Sequence, residues 1–207
     1  MDSAPTIYGK YAPALQAVLE DLVGRIQAYN EKEKNENGEM AYEHLIYRVK
    51  SPDSMKEKCG RKALPCTAYT ALREVRDSIG IRIVCRFIDD IYVNVNYIKA
   101  MTGCRVIEEK DYIKNVKPNG YRSYHLIIEF EAPYEDVTGA RPGHFFAEIQ
   151  IRTIAMDSWA SLEHQLKYKH DIKNPEMIVR ELKRCADELA ACDVSMQTIR
   201  DLLRTEQ

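Results

Sequence analysis

The apolar run at residues 79–87 (IGIRIVCRF) limits the fold of this chain more than any other feature. It is rich in β-branched residues, and such a run predicts a buried strand. Further strand patterns cover residues 44–50, 104–110, 123–130 and 145–152. Helical spacing of apolar residues covers 12–34, 68–76, 89–101 and 154–169, and we expect Asp89 or Asp90 to be the N-cap of the third of these helices. Strands interleaved with helices predict an α+β domain of α/β-like character, with one mixed sheet of about five strands.

Composition narrows the class of protein. The chain has 207 residues, a net charge of −2 and 45% hydrophobic residues, which is typical of a soluble globular protein. A basic site must therefore come from local clustering of cations. The N-terminal segment MDSAPTIYGK has no signal-peptide pattern, and no apolar run reaches the roughly 20 residues that span a bilayer. We expect a cytoplasmic protein without a membrane partner.

The six cysteines form no CxxC pair and have no histidine at zinc-ligand spacing. Cys85 lies in the apolar run, and Cys185 and Cys192 follow an apolar helix stripe. We therefore expect buried free thiols.

The segment KPNGYRSYH at residues 117–125 is the most informative for function. Its Pro-Asn-Gly predicts a turn, and the alternation after it predicts a strand with Tyr121, Ser123 and His125 on one face. An aromatic ring, a hydroxyl and an imidazole at the start of a strand can stack on a base and bind a phosphate or sugar. A tyrosine-rich edge strand without a ligand remains the alternative.

A basic cluster begins at the strand 44–50 and continues into a predicted helix start. Its six cations lie within 15 residues: Arg48, Lys50, Lys56, Lys58, Arg61 and Lys62. Positive charge and unpaired helix amides both favour anions, so this segment suits a triphosphate. A solvated basic surface is the alternative.

Two carboxylates complete the candidate site. Asp77 precedes the buried strand, and Glu148 begins the alternation Glu148-Ile-Gln150-Ile-Arg152, which places three polar groups on one face. Carboxylates on two strands form a minimal Mg²⁺ site for phosphoryl-type transfer. The chain has neither GxxxxGK[ST] nor GxGxxG, which excludes a P-loop enzyme and a dinucleotide-binding fingerprint.

The last segment carries a heptad stripe that predicts one long helix starting near Asn174 and Pro175. The stripe consists of Ile178, Leu182, Cys185, Leu189, Cys192, Met196, Ile199 and Leu203. It predicts either packing against the N-terminal helix of the same chain or an interface between subunits.

Taken in order, these clusters resemble the synthetase domain of the RelA/SpoT family, the (p)ppGpp synthetases. The resemblance covers about Leu45 to Lys169. The matching stretches are RVKSPDSMKEK, with the spacing R-x-K-x-x-x-S-x-x-x-K, then DSIGIRIVCRFIDDI, KDYIKNVKPNGYRSYHLII and AEIQIRTIAMDSWASLEHQLKYK.

The resemblance implies a nucleotidyltransferase-like sheet and transfer of the β,γ-pyrophosphate of ATP to the ribose 3′-OH of GDP or GTP, with Mg²⁺. It implies that Arg48 and Arg82 flank adenine, and that Tyr121 stacks on guanine. It also implies that Asp77 and Glu148 bind Mg²⁺ and that Glu148 activates the 3′-OH. The resemblance further implies that the ATP phosphates are bound by Lys50, Ser54, Lys58 and Arg61. It implies that the guanosine nucleotide is bound by Lys117, Asn119, His125 and Gln150, and that its 5′-phosphates are bound by Lys110.

Residues 1–43 contain no HD dipeptide of the kind that marks the hydrolase domain of long family members. The chain thus resembles a stand-alone small alarmone synthetase, with an N-terminal helical region (1–43), a synthetase domain (44–170) and a C-terminal helix (171–207). In that subgroup this helix commonly builds a homotetramer. The sequence leaves open the choice among GMP, GDP and GTP, and regulation by an alarmone or single-stranded RNA.

Two other functions remain alternatives. A toxic relative of the same fold would modify the 3′ end of tRNA or make adenosine alarmones, although a net charge of −2 offers little for tRNA. A non-catalytic nucleotide- or RNA-binding module would keep the pocket without the reaction.

Overall fold

The structure, a computed structural model, describes residues 6–167 and 174–205. A five-stranded mixed sheet in the order β1-β2-β5-β4-β3 forms its centre. The strands are β1 (His44–Val49), β2 (Ile79–Cys85), β3 (Cys104–Asp111), β4 (Tyr124–Ala132) and β5 (Gly143–Thr153), and the helices are α1 (Ala12–Asn37), α2 (Pro52–Arg61), α3 (Ile88–Ala100), α4 (Ile154–Lys167) and α5 (Pro175–Thr205). Only β2 and β5 pair in parallel; the other pairs are antiparallel. The predicted α+β fold is confirmed.

The core lies on one face of the sheet. Alternate residues of β2, such as Ile79, Ile81 and Ile83, are fully or almost fully buried, and α1 contributes Leu22 and Ile26 to the same core. The polar residues of β2 and β5 project from the opposite face. That face carries the candidate site.

One local prediction is wrong, and a second holds only in part. Helix α3 starts at Ile88 with Phe87 as N-cap, so Asp89 and Asp90 lie in its first turn and neither caps it. The helix predicted at 68–76 is present over residues 68–74, but it is π-helical over Thr70–Glu74 and ends two residues earlier than predicted. Arg76 adopts a left-handed φ of 59°, which ends the turn just before Asp77. The end of the predicted helix at residues 168–169 and the domain boundary at 170 lie outside the described residues.

Helix α5 packs on α4 and α3 rather than on α1. Leu182, Cys185 and Leu189 of the heptad stripe contact Trp159 of α4. Further along the same stripe, Ile199 and Leu203 are 58% and 59% exposed. The first half of the stripe therefore packs within the protomer, and Ile199 and Leu203 in its second half remain exposed.

All six cysteines are free, as predicted. Their predicted burial holds for Cys59 and Cys85, whereas Cys66 and Cys192 are exposed. In the described part of the chain, no helix has the length and apolar character needed to cross a bilayer.

Candidate active site

The register of the sheet aligns four of the predicted site residues in one row. Arg82 pairs with Gln150, Gln150 with His125, and His125 with Lys110. Paired residues on neighbouring strands project from the same face. The row therefore crosses four strands and brings together side chains that lie far apart in the sequence.

A second row lies two residues away on the same face. Arg48 on β1 pairs with Gly80 on β2, and Gly80 pairs with Glu148 on β5. Gly80 adds no side chain, so the space between the guanidinium and the carboxylate stays open. The two rows form the floor of the site.

A cleft of about 590 Å³ opens over this floor, and α4 forms one wall. Among the predicted residues its lining includes Arg48, Lys50, Asp77, Arg82, Tyr121, Glu148 and Gln150. Ser54, Lys58, Arg61, Lys110, Lys117, Asn119 and His125 lie outside this lining. Several of these reach the lining residues through side-chain contacts.

Asp77 is the electrostatic centre of one end of the cleft. It is 6% exposed, and Lys50 and Lys58 both donate to its Oδ2. Burial lowers the pKa of Lys50, although the hydrogen bond and charge of Asp77 oppose this effect. The other carboxylate oxygen, Oδ1, is buried and has no hydrogen-bond partner among the described residues. A buried carboxylate oxygen without a hydrogen-bond partner is better suited to binding a cation than to remaining unpaired in the protein interior.

The donor set also fits Mg²⁺. In the described part of the chain, no three His, Cys, Asp or Glu side chains gather as a complete metal cage. Mg²⁺ in nucleotide sites uses one or two carboxylates, with phosphates and waters as the other ligands. Asp77 and Glu148 both face the cleft, and both interact electrostatically with Lys50. The residues present therefore fit this ion.

Glu148 contacts a histidine and a glutamine through its two carboxylate oxygens. Its Oε1 lies 3.4 Å from Nδ1 of His125, and its Oε2 accepts from Gln150 at 3.3 Å. Burial raises the pKa of Glu148, but the hydrogen bond and charge of His125, with Lys58 and Lys50, outweigh burial and leave it below its usual range. Glu148 is therefore an ionised carboxylate at neutral pH.

Side-chain contacts close a ring around this glutamate. Nε2 of His125 lies 2.8 Å from the Tyr121 hydroxyl, and Arg152 donates to that hydroxyl at 2.7 Å and to Gln150 at 2.8 Å. Gln150 in turn donates to Glu148. Arg152 also donates to Ser123 at 3.2 Å. The predicted grouping of Tyr121, Ser123 and His125 is confirmed, although the strand itself begins only at Tyr124.

Arg152 and Asp157 belong to the site, although no role was predicted for either residue. Asp157, in the first turn of α4, lies 3.1 Å from guanidinium nitrogens of both Arg82 and Arg152. Its carboxylate holds two cations of the site in place. The alternation of residues 148–152 signals Arg152, whereas Asp157 is signalled only by its position in the matching stretch AEIQIRTIAMDSWASLEHQLKYK.

Helix α2 presents Ser54, Lys58 and Arg61 at positions i, i+4 and i+7, which share one helix face. Ser51 caps the helix by accepting from the Ser54 amide at 3.3 Å. Ser54 and Arg61 are exposed, and only Lys58 reaches Asp77. The helix thus adds an exposed row of donors beside the cleft.

The segment before β4 surrounds Tyr121. The Lys117 ammonium lies 4.9 Å from the centre of the Tyr121 ring, and the Asn119 side chain donates to Glu163 of α4 at 3.2 Å. Lys110 pairs instead with Glu108. Trp159 contacts the Tyr121 ring edge to face, with ring centres 6.2 Å apart. Of the predicted guanosine residues, Lys117, Asn119 and His125 therefore contact Tyr121, whereas Lys110 pairs with an acid on its own strand.

Helix α5 packs against the segment that precedes β4. Gly120 has φ +89°, and a Cβ there would meet Cβ of Ala186 at 2.5 Å. Arg122 donates to the Ala186 carbonyl at 3.1 Å. The position of Tyr121 thus depends on a helix remote in sequence.

Known proteins share this fold and these motifs. The family model described as the region found in RelA / SpoT proteins matches residues 47–173. GTP pyrophosphokinase YwaC of Bacillus subtilis strain 168 is 43% identical over 164 residues, which cover 79% of this chain and 76% of that protein. GTP pyrophosphokinase YjbM of the same strain is 34% identical over 195 residues, which cover 94% and 89%.

A solved structure is similar over nearly its whole length. The small alarmone synthetase 1 from Bacillus subtilis, bound to its product pppGpp, matches with a TM-score of 0.80 and 32% identity, covering 92% of this chain and 94% of that one. The family model covers more than half of the chain, and the overall fold is similar to that of this solved structure. The chain belongs to the RelA/SpoT family.

Proposed function

We propose that this chain is a GTP diphosphokinase, which transfers the β,γ-pyrophosphate of ATP to the ribose 3′-OH of GDP or GTP, with GMP as a further acceptor. The observation that carries the proposal is a single cleft that joins a lysine–carboxylate cluster around Asp77 to an aromatic–imidazole cluster around Tyr121. The first suits a polyphosphate donor with a metal, and the second suits a nucleobase and its ribose. The named relatives are GTP pyrophosphokinases.

The donor side binds ATP in this proposal. Lys50 and Lys58, already at the cleft end, interact with the phosphates, and Ser54 and Arg61 extend the row of donors along α2. Arg48 and Arg82 flank adenine, because both lie on the open face of neighbouring strands. Guanidinium planes stack on aromatic rings, which a lysine cannot do as well.

Asp77 and Glu148 would hold Mg²⁺, which neutralises phosphate charge when it is bound. Removal of Lys50 and Lys58 from Asp77 by the ATP phosphates would leave Asp77 free for this role. The unpaired Oδ1 of Asp77 supports the assignment.

Glu148 is the proposed general base. Its lowered pKa keeps it ionised, so it accepts the proton of the 3′-OH as the oxygen attacks the β-phosphorus of ATP. The bond from this phosphorus to the α,β-bridging oxygen breaks, and AMP leaves. His125 and Gln150 fix both oxygens of Glu148. Tyr121 stacks on guanine, with Lys117 and Asn119 beside it. Lys110, across the sheet from His125, is the proposed contact for the 5′-phosphates.

The decisive experiment supplies Mg²⁺ and ATP labelled in the γ-phosphate, together with GMP, GDP, GTP, tRNA or no acceptor. Transfer of the label to a guanosine 3′-position, resolved by anion-exchange chromatography, is the expected result. Label in tRNA or in an adenosine product would instead support a toxic relative. Nucleotide binding without any transfer would overturn the enzymatic proposal.

The assembly is part of the proposal. Ile199 and Leu203 leave an apolar strip on α5, continuous with a cavity of about 490 Å³ at the C-terminal end of this helix. Exposed apolar strips of this kind commonly mark interfaces. We infer a homo-oligomer through α5, and family resemblance favours a tetramer. The nucleotide substrates favour the cytoplasm, and regulation by an alarmone or single-stranded RNA stays a prediction.

A further inference from the structure

Two cysteines meet at the end of the proposed phosphate-binding helix. The chain leaves α2 through a tight turn, in which the amides of Lys62 and Leu64 both donate to the Cys59 carbonyl, at 3.1 and 2.9 Å. This turn folds the following residues back onto the helix. Cys66 consequently lies against α2, with its Sγ 3.9 Å from the Lys56 carbonyl.

The two thiols differ sharply in their surroundings. Cys59 is fully buried in the core, whereas Cys66 is exposed. Burial raises the pKa of the Cys59 thiol, and charge and hydrogen-bond interactions with Cys66 raise it further. The Lys56 carbonyl that Cys66 contacts lies one helical turn before Cys59, so the two cysteines lie close together, and the exposed member meets a dissolved oxidant first.

We propose that Cys59 and Cys66 form a reversible disulfide that controls the ATP side of the site. A hydroperoxide oxidises the Cys66 thiol to a sulfenic acid and is itself reduced to an alcohol or water. The Cys59 sulfur then attacks the Cys66 sulfur, the S–S bond forms, and the hydroxyl leaves as water with the Cys59 proton. Two thiols lose two electrons, and one peroxide gains them. A dithiol reverses the reaction by exchange.

The position of the pair connects this bond to function. Cys59 follows Lys58, which contacts Asp77, and precedes Arg61 in the last turn of α2. Because Cys59 is buried and Cys66 exposed, the S–S bond requires the last turn of α2 or the turn after it to shift. A shift there moves Lys58 relative to Asp77. The effect on ATP rests on the proposed function, whereas bond formation does not.

The test treats the full-length reduced protein with hydrogen peroxide and then blocks the remaining thiols with an alkylating agent. Peptide mass mapping is expected to find Cys59 linked to Cys66 within one chain, with reversal by dithiothreitol. Under the same conditions the apparent KM for ATP is expected to rise several-fold, with little change for the guanosine acceptor. Peptides of Cys59 and Cys66 that stay unlinked while Cys192 is oxidised would overturn the proposal.

Matched variants separate the outcomes. Cys66→Ser is expected to keep the reduced activity and to abolish both the link and the peroxide effect, and Cys59→Ala provides a second test without a buried hydroxyl. Cys192→Ser, an exposed thiol on α5, is expected to leave both effects intact. A mapped bond with an unchanged KM for ATP would disprove the control of the ATP side. Absence of transfer in the reduced protein would disprove the proposed function while leaving the mapped bond intact.

Discussion

The Tyr121 hydroxyl lies 2.8 Å from Nε2 of His125, and the other nitrogen of that ring lies 3.4 Å from Glu148. Tyr121, whose ring is expected to stack on guanine, is therefore also linked through its hydroxyl and His125 to Glu148, the proposed general base. Arg152 donates to the same hydroxyl. The stacking platform and the carboxylate form one connected unit.

This connection predicts two different effects at Tyr121. Tyr121→Ala is expected to raise the apparent KM for the guanosine nucleotide far more than that for ATP, because base stacking contributes about 1–3 kcal/mol. Tyr121→Phe keeps the ring but removes a hydrogen bond of about 1 kcal/mol, so we expect a reduction of kcat. Steady-state kinetics with each substrate varied would measure both. Equal effects on the two KM values in Tyr121→Ala would contradict the stacking role.

Asp77→Asn is expected to abolish transfer. The substitution removes a proposed Mg²⁺ ligand and leaves Lys50 and Lys58 without their carboxylate, which also costs about 3 kcal/mol of folding stability. The measurement is turnover at saturating Mg²⁺, with circular dichroism to verify folding. Asp53→Asn is the control, because Asp53 is an exposed acid on α2, the helix that carries Lys58. Near-normal turnover in folded Asp77→Asn would refute the assignment.

Gly120→Ala is expected to weaken acceptor binding. Alanine at φ +89° costs about 1 kcal/mol, and the new Cβ would collide with Ala186 on α5 and displace Tyr121. Gly139→Ala separates the two causes, because Gly139 has φ +84° but no atom within 4 Å of its added Cβ. We expect only Gly120→Ala to raise the KM for the guanosine nucleotide. The same kinetic change in both variants would point to backbone strain alone.

Asp136 provides a pH-dependent contribution to stability. Burial raises its pKa, but hydrogen bonds from Thr138, His144 and Ala140 outweigh burial and lower it. Because the folded pKa lies below the unfolded value of about 3.9, the stabilisation is present above that value and is lost as pH falls through the folded pKa. Asp136→Asn should therefore destabilise at pH 7 and much less under acid conditions. Urea unfolding across pH measures this, with exposed Glu135→Gln as the control, and an equal loss at all pH values would contradict it.

The exposed half of the α5 stripe predicts how the assembly can be broken. Leu203→Glu or Ile199→Glu is expected to dissociate the homo-oligomer without destabilising the protomer, because both side chains are more than half exposed. Leu189→Lys would instead disturb the packing of α5 on α4. Light scattering and thermal unfolding distinguish the cases, and Glu188→Gln on the charged face serves as the control. An unmutated protein that is monomeric at micromolar concentration would contradict the proposed interface.

Local periodicity was enough to predict the elements of the fold. The β-branched run at 79–87 and the alternation at 145–152 became the parallel pair β2 and β5, because period and residue type are local properties. The motif residues could also be identified from the sequence, since each lies in a short segment with a characteristic spacing. Errors occurred where tertiary context overrides propensity, as at the first turn of α3 and the π-helical turn before Asp77.

The sequence by itself determined which side chains face out from each strand and which chemistry they offer. Only the tertiary structure decided their partners: Arg82 and Arg152 share Asp157, Asp77 receives two lysines, and α5 supports Gly120. Strand register and helix packing set these contacts across long separations in the chain. No local pattern encodes them, because they depend on how the whole core packs.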